Sequence, residues 1–120
     1  MANSYKRGDN DSRPWGTWEV LDSENNFCVK RIKVIPGGKL SLQLHHHRSE
    51  HWILVKGEAL ITLGETLLTK KAGENVFIPQ EIKHRIQNNS MEDVEFIEVQ
   101  IGENLDENDI VRLEDIYGRA

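Results

Sequence analysis

Hydrophobic and polar residues alternate with a period of two over much of the chain, the signature of strands with one covered face. Leu40, Leu42 and Leu44 alternate with Ser41, Gln43 and His45. Further on, Glu50, Trp52 and Leu54 share one parity, and His51, Ile53 and Val55 the other. Residues 84–87 alternate again. Trp18, Val20 and Leu21 predict a short strand, followed by a polar turn over 22–26. The runs 27–35, 50–55, 59–63, 66–69, 76–78 and 94–101 predict the remaining strands. Pro36-Gly37-Gly38 and Pro79 stop two of them, and Gly64-Glu65 suits a tight hairpin. Strands this short and this frequent, punctuated by Gly and Pro, predict an all-β domain of antiparallel strands in a sandwich or small barrel.

The two ends of the chain break the pattern. Residues 1–12 are polar and predict a mobile N-terminal arm. Arg13-Pro14-Trp15-Gly16 closes that arm with a turn that docks an aromatic ring, and residues 13–120 read as one domain. From Gly102 onward acidic residues crowd the chain, while Ile110, Val111, Leu113 and Ile116 offer apolar anchors. This predicts a docked tail with a short helical turn. A net charge of −5 argues against nucleic acid as a partner. No apolar run approaches the roughly 20 residues of a membrane helix. The single cysteine, Cys28, excludes an internal disulfide and fits a reducing cytoplasm.

The candidate chemistry lies between Gly37 and Gly57, in GGKLSLQLHHHRSEHWILVKG. Imidazole and carboxylate groups on a covered strand face need partners, and a divalent metal is a common one for both. Gln43, His45 and Glu50 are the candidate ligands in this stretch. Three adjacent histidines alone would read as a surface cluster. The spacing changes that. Five residues separate Gly37 from Gln43, one separates Gln43 from His45, four separate His45 from Glu50, and six separate Glu50 from Gly57. Later, Gly73 is followed after five residues by Pro79, then by His84 and, after three more residues, by Asn88. These two stretches resemble the two motifs of the cupin superfamily, with Gln43 in place of the first histidine. Glu81 stands where that family usually has glycine. The resemblance implies a cupin jelly-roll barrel and a metal site made by Gln43, His45, Glu50 and His84. Nitrogen and oxygen donors without thiolate suit Zn²⁺ and leave Mn²⁺, Fe²⁺, Co²⁺ and Ni²⁺ open. His47 would share the ligand face on a continued strand, and His46 would point away.

QLHHHRSEHW, FIPQEIKHRIQN, FIEVQIGE and DIVRLEDIYGR sharpen the resemblance to type II phosphomannose isomerase. That domain is the C-terminal part of bifunctional mannose-6-phosphate isomerase/mannose-1-phosphate guanylyltransferase enzymes. The similarity runs from Arg13 to Arg119. It implies metal-dependent interconversion of mannose 6-phosphate and fructose 6-phosphate, in nucleotide-sugar biosynthesis, with a phosphosugar as the partner molecule. Glu98, which interrupts an apolar strand, is the candidate proton-transfer base, and Arg48, beside the ligands, is a second candidate catalytic residue and a cation available to the phosphate. Lys30, Arg85 and Arg119 are the candidate phosphate-binding cations. The alternatives are a non-catalytic, metal-bound sugar-phosphate module, alone or beside a guanylyltransferase, and a cupin acting on another sugar phosphate or nucleotide sugar. Finally, Leu40, Leu42 and Leu44 should face away from Gln43 and His45, and Ile53 and Val55 away from Glu50. Together they predict an outer apolar patch and a homodimer.

Overall fold

Thirteen strands and no helix make up the protein among the residues that the computed structural model describes, 2–3, 5–106 and 108–117. In chain order they are β1 (Ala2–Asn3), β2 (Asn10–Arg13), β3 (Gly16–Ser23), β4 (Phe27–Val34), β5 (Leu42–Leu44), β6 (Arg48–Lys56) and β7 (Glu58–Leu63). After these come β8 (Thr66–Lys71), β9 (Asn75–Ile78), β10 (His84–Gln87), β11 (Val94–Gly102), β12 (Asn104–Leu105) and β13 (Val111–Glu114). A six-stranded sheet runs β2-β3-β4-β11-β6-β9, and a five-stranded sheet runs β13-β5-β10-β7-β8. Every pairing in both is antiparallel. The main core lies between them. Ile32, Trp52, Leu54 and Phe96 come from the larger sheet, and Ala59, Ile61 and Ile86 from the smaller.

The alternation works as expected on β6. Arg48, Glu50, Trp52 and Leu54 are buried, while His51, Ile53 and Val55 are exposed. The two-residue hairpin at Gly64-Glu65 also forms, with Leu63 paired to Thr66.

The chain ends depart from expectation. No helix forms in the tail: residues 111–114 make β13, which pairs with β5 as Val111 to Leu44, Arg112 to Gln43 and Glu114 to Leu42. Strand β5 otherwise has an open edge, and backbone groups there need partners. The N-terminal arm, expected to be mobile, carries two of the strands. β2 extends the larger sheet through β3. Tyr5 is buried against Val20, Cys28 and Leu105 in a second apolar cluster. β1 runs parallel to β12, so arm and tail are joined.

The predicted leucine patch does not form one surface with Ile53 and Val55, because β5 and β6 belong to different sheets. Leu40 packs against the main core, and Leu42 and Leu44 are half-buried beside β13.

Candidate metal centre and its cavity

Two strand ends and one inward strand face bring three ligand residues together. β5 ends at Leu44, the chain bends through 45–47, and β6 begins at Arg48. Asp109 of the tail holds that bend. Its carboxylate accepts hydrogen bonds from the His46 amide at 3.0 Å and the His47 amide at 2.9 Å. The neighbouring β11 must come very close to the bend. A Cβ at Gly102 would sit 2.3 Å from the His47 carbonyl oxygen, so no side chain fits there. Glu50 lies on the inward face of β6, and His84 opens β10.

His45, Glu50 and His84 are all buried, with one ligand atom from each within 4.8 Å of the others. His45 Nδ1 donates to the Asp109 carbonyl at 2.7 Å, and His84 Nδ1 donates to the Ile82 carbonyl at 2.9 Å. Carbonyls only accept, so both rings carry their proton on Nδ1 and turn a bare Nε2 inward. His45 Nε2 lies 3.2 Å from Glu50 Oε2, and His84 Nε2 lies 3.9 Å from Glu50 Oε1. His84 Nε2 is buried without a hydrogen-bond partner. A buried lone pair left open toward a carboxylate fits a divalent cation. Gln43 is the cross-strand partner of His84, so the two share a face of the smaller sheet.

Charge is tightly balanced around Glu50. Burial by itself would raise its carboxyl, but the Arg48 guanidinium outweighs it and holds the group well below the usual carboxylate range. Arg48 Nε donates to Glu50 Oε2 at 2.9 Å, and Trp52 Nε1 donates to Glu50 Oε1 at 3.0 Å. Burial pushes the His84 imidazole down, against the pull of Glu50. His84 therefore favours the neutral, ligating form.

The cluster borders a cavity of about 320 Å³. Gln43, His45, Arg48, Glu50 and Glu98 line it; His84 lies behind this surface. Glu98 is 6% exposed on β11, a central strand and not the edge position a solvated glutamate would occupy. Trp52 donates to its Oε1 at 3.1 Å and Gln100 to its Oε2 at 2.9 Å. Burial and the nearby Glu50 push its pKa up to about 8. Four cations line the cavity, Arg13, Lys30, Arg48 and Arg112, against two carboxylates, Glu50 and Glu98. A protein of net charge −5 thus encloses a cationic space.

The structure gathers Gln43, His45, Glu50, Arg48, Lys30 and Glu98 at one site with His84 beside them. It does not bring Arg85 there. Arg85 follows His84 on a strand and so points to the opposite face. It donates to the Leu40 carbonyl at 2.9 Å and to Glu114 at 2.8 Å, tying the tail down. Arg119 lies outside the described residues. His46 and His47 are exposed in the bend, because β5 stops before the parity that would have turned His47 inward. Sequence reasoning missed Asp109, Arg112, Tyr5 and Arg13. Asn108, Ile110 and Arg112 all face the cavity, and their spacing of two was the available signal.

Comparison with known proteins places these observations. A family profile described as "Mannose-6-phosphate isomerase C-terminal" matches residues 2–115. The xanthan biosynthesis protein XanB of Xanthomonas campestris is 50% identical over 108 residues, covering 90% of this chain and 23% of that protein. The alginate biosynthesis protein AlgA of Pseudomonas aeruginosa is 47% identical, covering 90% of this chain and 22% of that protein. The mannose-1-phosphate guanylyltransferase RfbM of Salmonella typhimurium is 43% identical, covering 97% and 24%. The chain thus spans about a quarter of the length of these relatives. Among solved structures, a cupin-superfamily sugar phosphate isomerase from Silicibacter pomeroyi superposes with a TM-score of 0.64 at 19% identity, covering 71% of this chain and 58% of that one. A Klebsiella pneumoniae protein with a double-stranded β-helix domain gives 0.72 at 22%, covering 81% and 83%. At these identities the likeness shows the cupin fold alone.

Proposed function

This chain belongs to the mannose-6-phosphate isomerase C-terminal family, and from that premise we propose that it is a metal-dependent aldose–ketose isomerase interconverting mannose 6-phosphate and fructose 6-phosphate. The observation that carries this reading is a buried His45–Glu50–His84 cluster at the edge of a cationic cavity that one further carboxyl group outside the cluster, Glu98, also lines. The family description and the mannose phosphate in the name of RfbM support the substrate class.

The residues divide the work. His45, Glu50 and His84, with Gln43 beside them, would hold a divalent cation, Zn²⁺ being best suited and Mn²⁺, Fe²⁺, Co²⁺ and Ni²⁺ compatible with the same donors. Such an ion supplies Lewis-acid polarisation of the substrate's carbonyl and hydroxyl oxygens. Arg48 and Trp52 lock the two oxygens of Glu50. Glu98 serves as the proton carrier. Its ionised form takes the proton from C2 of the aldose, leaving an enediolate with its charge on O1; the O2 hydroxyl proton passes to O1, and the acid form of Glu98 returns the carbon-bound proton to C1 as the carbonyl forms at C2. A pKa near 8 keeps both forms accessible close to neutral pH, which is what a group that must accept and then donate requires. The cationic walls favour a phosphate-bearing ligand over a neutral sugar.

The test is a coupled assay for fructose 6-phosphate with protein loaded in turn with Zn, Mn, Fe, Co and Ni. Turnover with at least one metal is expected. His45→Ala and His84→Ala should each lose most bound metal and activity, whereas His46→Ala should keep both. Binding of mannose 6-phosphate without turnover under every metal would replace the isomerase with a non-catalytic phosphosugar module.

A further inference from the structure

We propose that Lys30 is the phosphate anchor of this cavity, held in position by an aromatic clamp of Tyr5 and Trp18. This rests on the reading above that the ligand is a sugar phosphate. Lys30 is 7% exposed, yet among the described residues no carboxylate lies within salt-bridge distance of it. A buried ammonium with no carboxylate in direct contact, Glu98 on the next strand acting on it only at longer range, is costly unless something compensates. Here two ring faces do so: Nζ lies 3.6 Å from the Tyr5 centroid and 4.9 Å from that of Trp18. The rings meet edge to face, with centroids 5.9 Å apart. Aromatic faces stabilise the cation without neutralising it, so the charge remains available to a ligand.

The other cavity cations are differently placed. Arg48 is bound to Glu50. Arg13 is bound to Asp11. Arg112 is exposed, where solvent screens its charge.

Position agrees with chemistry. Inward residues of the larger sheet form a cross-strand row, Lys30 on β4, Glu98 on β11 and Trp52 on β6. Glu50 lies on β6 two residues before Trp52. Lys30 is therefore two strand spacings, about 10 Å, from the strand that carries the metal-ligand carboxylate. Glu98 stands between. A hexose 6-phosphate also carries its anion and its reacting carbons at opposite ends. With the phosphate at Lys30, the chain of carbons passes Glu98 and reaches His45 and Glu50.

Calorimetry with mannose 6-phosphate, unphosphorylated mannose and inorganic phosphate tests this on the metal-loaded protein. Lys30→Met should weaken mannose 6-phosphate binding roughly 10- to 100-fold, the range of a lost charge-assisted bond. Bound metal should stay unchanged. In the turnover assay the loss should fall on KM and leave kcat nearly intact. Tyr5→Leu, a change at a positioning residue, should give a smaller loss of the same kind, and Lys30→Arg should recover part of the affinity. Wild-type affinity in Lys30→Met overturns the proposal, as does equal weakening of mannose and mannose 6-phosphate. So does a wild type that binds neither phosphate probe. If Lys30→Met does not fold, wild-type KM in Tyr5→Leu overturns the clamp. Binding without turnover would overturn the isomerase reading and leave the anchor standing.

Discussion

Glu81 shows how one residue can depart from a motif and keep its geometry. It is the one non-glycine residue with positive φ among those described, at +68°. Its amide donates to the His45 carbonyl at 2.7 Å, so the turn after Pro79 presses on the ligand loop. A residue with a Cβ pays about 1–2 kcal/mol in this region, while glycine costs something under 1 kcal/mol more in unfolded-chain entropy. The exposed contact of Glu81 with His46 at 3.2 Å contributes little against that difference. Glu81→Gly should therefore stabilise the fold by about 0.5–1 kcal/mol and raise the melting temperature by a few degrees. A lower melting temperature would mean that the His46 contact is worth more than its exposure suggests.

At the level of elements, the tail matters most, and it was the least legible part of the chain. Side-chain direction along one strand is a local property, which is why Glu50, Trp52 and Leu54 could be assigned to one face of β6 and Glu98 singled out on β11. The same local logic, applied to the residue after His84, turns Arg85 away from the cavity. The partner of an edge strand is not a local property. Nothing near Gln43 announces that Arg112 will pair with it. Ile110, Val111 and Leu113 read equally well as anchors of a helical turn. In sequence Asp109 is one more acidic tail residue, although it holds both the bend at 46–47 and the tautomer of His45. Asp109→Ala leaves the backbone carbonyl but frees the bend. It should lower metal affinity about 10- to 100-fold, the usual scale for a residue that orients a ligand. Competition with a chromogenic chelator measures this, and wild-type affinity would show that the bend holds itself.

For the whole molecule, the dimer expectation moves from the leucines of β5 to the outer face of the larger sheet. There Ile53 is 44% exposed and Val55 51%, with Phe77 and Ile101 exposed on the flanking strands. A twofold pair through this face predicts a light-scattering mass of twice 13.8 kDa, reduced to one chain in Ile53→Lys with metal content retained. A wild-type mass of one chain at micromolar concentration rules the pairing out. The parallel pairing of β1 with β12 has a different kind of consequence. It fastens together the segment that supplies Tyr5 and the segment that leads to Asp109. The first touches Lys30, and the second touches His45 from 64 positions away. During synthesis the ligand His84 is already in the chain while Asp109 is still to come, so the centre cannot settle as its ligands emerge. Loops this long also close slowly. A metal held by these residues would therefore be loaded late in the life of each molecule, and one caught earlier would sit in an unfinished site.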